Sequence, residues 1–113
     1  AIRRQRQMCI RDRIVNLYKF LVNEQKEFVM SKQILRSGTS IGANIREAEQ
    51  AQSRADFINK LNIALKEANE TEYWLELLIR TEYITREQYE SINNDSTEIN
   101  KLLISIIKTT KNN

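Results

Sequence analysis

The stretch ILRSGTSIGANIREA, Ile34–Ala48, holds Gly38 and Gly42, the only two glycines of a 113-residue chain that has no proline. Whether it is a loop or a helix decides the fold. A phosphate-cradling loop needs G-x-x-x-x-G-K-[ST] after a buried strand. Here the spacing is G-x-x-x-G, no lysine follows, and the residues before it have helical spacing. A dinucleotide-binding loop is excluded on the same grounds. The positions Ile34, Leu35, Gly38, Ile41, Gly42, Ile45 and Ala48 keep helical phase straight through the glycines, as one face of a helix does. A helix there loses about 1 kcal/mol per glycine relative to alanine. Small residues four apart share a face and admit a neighbouring backbone, and dispersion attraction across so close an approach can offset that loss. Gly38 and Gly42 are therefore expected to form a packing surface.

Working outward, the same periodicity continues. Ile10, Ile14, Leu17, Tyr18 and Leu21 form a first stripe, and Asn23–Glu27 interrupts it with polar residues. Ser53 with Asp56 three residues later reads as a helix start. The stripe Phe57, Leu61, Ala64, Leu65, Ala68, Leu75 and Leu78 follows, ending near Arg80–Tyr83. Thr85 with Gln88 is a second capping box. After it come Tyr89, Ile92, Ile99, Leu103 and Ile106. Four helices with short connections predict an all-α, antiparallel up-down-up-down bundle in one domain spanning residues 1–113.

A hydrophobic fraction of 41% with 29% charged residues argues against disorder. No apolar run approaches the ~20 residues needed to cross a bilayer, and the layout of a signal peptide is missing. One cysteine, Cys9, cannot form an internal disulfide, so a reducing cytoplasm is expected. Residues 1–13 hold five arginines against Asp12, which leaves 13 of the 18 basic and 14 of the 15 acidic residues for the body. The basic excess thus belongs to the first turns. The string RQRQMCIRDR, Arg4–Arg13, resembles an in-frame translation of a sequencing-library adapter, so residues 1 to about 12 are expected to be foreign to the native chain.

The third helix carries further apolar residues outside its main stripe, Ile58, Ile63, Trp74 and Leu77, and the fourth adds Leu102, Ile104 and Ile107. A bundle of this size needs one apolar face per helix, so burial against further copies of the chain is expected. Gly38, Gly42, Ile63, Trp74 and Leu77 are the residues assigned to helix or subunit packing.

Catalytic chemistry finds little footing. A di-iron bundle uses Glu-x-x-His pairs, and the chain has no histidine. Glu67, Glu70, Glu72 and Glu76 read instead as partners of lysines or of an arginine on another helix. Thr39 and Ser40 lack a base to activate them. No enzyme, metal or cofactor is expected. Phosphate contacts are better founded: Arg36 and Arg46 on the second helix and Lys101, Lys108 and Lys111 on the fourth are the candidates for binding RNA or DNA. Repetition around a ring would multiply each weak patch.

Gln33–Leu78 carries LRSGTSIGANI, a Ser-x-x-Asp-Phe helix start and KEANETEYWL. With the continuation to Lys111, this resembles the small four-helix-bundle proteins encoded within intervening sequences of bacterial large-subunit ribosomal RNA genes. The match covers about nine-tenths of the chain and departs before about Arg13. The resemblance implies a homopentamer around a central channel and no enzymatic activity. More distantly, the chain is similar to the accessory protein of diversity-generating retroelements, a basic pentameric barrel that binds nucleic acid and a reverse transcriptase. The expectation is a cytoplasmic ring that binds RNA or DNA without catalysis. The alternative is a scaffold that binds another protein.

Overall fold

The computed structural model describes residues 4–113, with side chains from Ile10 onward. Arg3 and the side chains of Arg4, Arg6 and Cys9 lie outside the described residues. The chain forms four helices, α1 (Arg4–Asn23), α2 (Met30–Glu49), α3 (Arg54–Arg80) and α4 (Arg86–Asn112). No strand occurs among the described residues.

The glycine segment lies inside α2, and Ile34, Gly38, Ile41, Ile45 and Ala48 are buried along one face of it. A Cβ on Gly38 would come within 2.7 Å of Ile14 Cγ2 and 2.8 Å of Cγ1. No real side-chain carbon sits that close, so α1 reaches α2 only because residue 38 has none. At Gly42 the outcome differs: a Cβ would meet nothing within 4 Å among the described residues. Within the described chain, close packing is a property of Gly38 alone.

Two helix starts form as their sequences dictate. The Ser53 hydroxyl accepts from the Asp56 N–H at 3.1 Å. Thr85 and Gln88 exchange side chain and backbone bonds at 3.1 and 2.8 Å. The start of α2 is made in another way. Its N-cap, Val29, has no side-chain acceptor. The Glu27 carboxylate fills the role, accepting from the N–H groups of Val29, Met30 and Ser31 at 3.2, 3.0 and 2.7 Å. Negative charge is favoured at this positive end of a helix, so Glu27 is buried rather than part of a solvated linker. Lys26, at φ 53°, turns the chain so that Glu27 can reach back. Gln25 Nε2 donates to the Tyr83 carbonyl at 2.9 Å, tying the α1–α2 connection to the α3–α4 connection.

A single core gathers residues of all four helices, including Ile14, Leu21, Ile34, Ile41, Leu61, Leu75, Ile99 and Leu103. Ile10 also belongs to it. Ile107, read from the sequence as lying beside the main stripe, is buried in that core, and Ile58, Leu65, Leu102 and Ile106 pack against its edge. Each helix packs on the next, and α4 returns to α1. Between α2 and α3, Thr71 donates to Ser37 at 3.0 Å, and Lys60 pairs with Glu47 at 3.6 Å. Between α3 and α4, Asn100 donates to both Asn69 and Glu72 at 3.3 and 2.9 Å, and Ser96 also faces Glu72. The body measures 47 × 21 × 20 Å, close to the ~40 Å length of one 27-residue helix. Its long sides are therefore helix surfaces.

Candidate nucleic-acid interface

On α4, Lys101, Lys108 and Lys111 are all exposed. Their spacings of seven and three place them along one side of the helix, over about 15 Å. None has a carboxylate within salt-bridge distance among the described residues. Ile104, on the same stripe, is 46% exposed. The main α4 stripe faces inward through Ile92, Ile99, Leu103 and Ile107, which leaves the lysines outside by elimination of phase.

Arg46 lies in the last turn of α2, exposed and likewise without a described acidic partner. Arg46 and the α4 lysines are carried by different helices. They do not form a single patch, since α2 and α4 do not pack on each other among the described residues.

Arg36 stands apart from the other four cations. Its guanidinium pairs with Glu67 at 3.2 Å and also with Glu70. Glu70 accepts in addition from Trp74 Nε1 at 3.1 Å. The Trp74 hydrogen bond, with Arg36 adding to it, holds the Glu70 carboxyl below its ordinary value. Glu70 in turn raises the Arg36 guanidinium above its own, chiefly through their hydrogen bond. A cation already flanked by two carboxylates attracts phosphate poorly, so Arg36 serves the α2–α3 seam. An arginine of another helix as partner of Glu67 and Glu70 is the arrangement their clustering on α3 suggests.

The residues assigned to packing also separate. Gly38 is filled by Ile14, and Gly42 faces open space among the described residues. Ile63, Trp74 and Leu77 are half-buried, and Trp74 packs partly against the core. They fall along one edge of α3. One surface residue has no forerunner in the periodicity: Tyr73, 58% exposed, its ring 4.9 Å from Trp74 in an edge-on arrangement at 76°. Stripe counting seeks inward positions, and Tyr73 lies on the outward face.

Among the described residues no group of three or more His, Cys, Asp or Glu could hold a metal ion, and no helix is long and apolar enough to cross a membrane. A shallow groove between α1 and α4 is lined by Arg13, Asn16, Leu17, Phe20, Gln88 and Ile92. Its one charged residue, Arg13, is bound to Asp95 at 2.7 Å and to Ser91.

A four-helix chain with this core and this α2 defines a class. The chain belongs to the 23S rRNA-intervening sequence protein family, whose profile matches residues 3–105. Among solved structures it is similar to a protein of unknown function from the S23 ribosomal protein family of Bacteroides thetaiotaomicron. The two are 92% identical, with a TM-score of 0.91, over 92% of this chain and 93% of that one. No curated protein matches the chain.

Proposed function

We propose that the protein is a non-catalytic, cytoplasmic, up-down-up-down four-helix bundle that assembles as a ring, most simply of five, and binds RNA or DNA. The observation that carries the binding is the row Lys101, Lys108 and Lys111, three exposed cations without described acidic partners on one side of α4. Arg46 adds a fourth cation on α2 of each subunit. Arg36 is left out of the contact set because Glu67 and Glu70 already hold it. Three or four free cations per subunit bind weakly, and repetition around a ring turns weak contacts into avidity. Assembly is supported by the half-buried strip Ile63, Trp74 and Leu77 on the long side of α3.

Titration with a structured RNA at two salt concentrations, with native mass recorded in parallel, tests both parts. Binding at ~50 mM salt that falls steeply on raising the salt is expected, together with a mass of several subunits. Replacing Lys101, Lys108 and Lys111 by glutamine should weaken binding across sequences and flatten its salt dependence. A multimer that binds no nucleic acid at low salt would instead be a scaffold for another protein. The measurement should be repeated with residues 1–12 replaced, so that the basic first turns are not mistaken for the α4 row.

A further inference from the structure

The exposed side of α3 differs in chemistry from the lysine row of α4. Asn62, Lys66, Asn69, Tyr73, Glu76 and Arg80 follow one another at spacings of three and four, so they share one face. All six are exposed. The sole acid among them, Glu76, is paired with Arg80 at 2.7 Å. What remains is an aromatic ring with amides and a lysine beside it.

The ring is also held in place. Trp74 meets it edge-on, and the Trp74 indole is fixed through its N–H on Glu70, which Arg36 grips from α2. A tyrosine that is more than half exposed yet braced from one side offers a flat face to solvent at low entropic cost. Asn69 bonds Asn100 of α4 through its carbonyl oxygen at 3.3 Å, which leaves its amide N–H groups available. Asn100 is next in sequence to Lys101, so the start of the α4 lysine row lies across the seam from this face.

We infer that Tyr73 is a stacking platform for an unpaired base, so that the nucleic acid recognised is single-stranded or looped rather than continuous duplex. The inference rests on the nucleic-acid reading proposed above. A base in a duplex has both faces covered, whereas an unpaired base can lie on an aromatic side chain, and such stacking tolerates many sequences. The amides of Asn62 and Asn69 can meet exposed base edges, and Lys66 and Lys101 can meet the phosphates on either side.

The test uses the full chain with a 12-nucleotide single strand and a blunt, loop-free duplex of the same strand length, each titrated at ~50 mM salt. Tyr73→Ala is expected to weaken single-strand binding about tenfold or more and to leave duplex binding unchanged. Tyr73→Phe, which keeps the ring, should stay within about twofold of the parent. Lys101→Gln should weaken both ligands. Equal single-strand affinity for Tyr73→Ala and the parent overturns the platform; if Lys101→Gln still weakens binding, the nucleic-acid reading survives it. A parent that binds neither ligand ends both readings, and one that binds only the duplex overturns the platform. A changed native mass for Tyr73→Ala would place the ring in a subunit contact and also overturn the platform.

Discussion

Gly38 and Gly42 are the same residue, one helical turn apart on the same helix, yet they meet opposite surroundings. Gly38 is pressed by Ile14 to a separation no side chain could survive. A Cβ at Gly42 would touch nothing within 4 Å among the described residues. The intrinsic helix penalty is equal at both, and only Gly38 recovers it inside the described chain. A G-x-x-x-G spacing therefore marks a face on which close approach is possible. It does not say which of the two glycines is used.

The largest break in that comparison is expected at Gly38. Gly38→Leu should leave no folded protein, and Gly38→Ala should lose about 1–3 kcal/mol from forced displacement of Ile14, read by urea unfolding. Ile14→Ala alone should cost about 2–5 kcal/mol. Combined with Gly38→Ala it should cost clearly less than the sum, because the clashing atoms are gone. Strict additivity would mean that Ile14 is not what makes residue 38 a glycine. The N-terminus of the same helix offers a second contrast, since it is fixed by charge rather than by shape. Glu27→Ala strands three N–H groups and should cost about 2 kcal/mol in the same unfolding assay.

At Gly42 the sign reverses. Gly42→Ala should raise stability by up to about 1 kcal/mol, seen as a later urea midpoint. A loss there, or a changed native mass, would show that another surface lies against residue 42. The smallest effect belongs to the Arg36–Glu70 pair on the outer side of α2 and α3. The Glu70 carboxyl is lowered in the folded chain. Its contribution is therefore complete above the ordinary carboxylate value of 4.5 and is lost as pH falls through the folded value. Unfolding followed from neutral pH into the acid range should show a shallower decline for Glu70→Gln than for the parent.

Most of the fold could be read in advance because a helix repeats. Ile34, Ile41 and Ile45 needed only their spacing to be placed inward, and Ser53 and Thr85 needed only the acceptor three residues before a donor. Glu27 escaped such reading, since a carboxylate in a polar run looks solvated until a left-handed turn folds it onto backbone N–H groups. The candidate interface was legible for Lys101, Lys108 and Lys111, whose spacing puts them outside the buried stripe. It was not legible for Arg36, because a sequence does not show that Glu67 and Glu70 lie across the seam. Tyr73 was not legible either, because its exposure, not its periodicity, sets it apart.

Lys26 and Glu82 hold φ values of 53° and 66°, in the left-handed region where a side chain is disfavoured by roughly 1–2 kcal/mol. Each sits in a connection at the end where Gln25 bonds the Tyr83 carbonyl. Both are thus reserves for thermostabilisation: a residue without a β-carbon at either place removes steric strain from a hairpin turn while leaving the helices and their surfaces untouched.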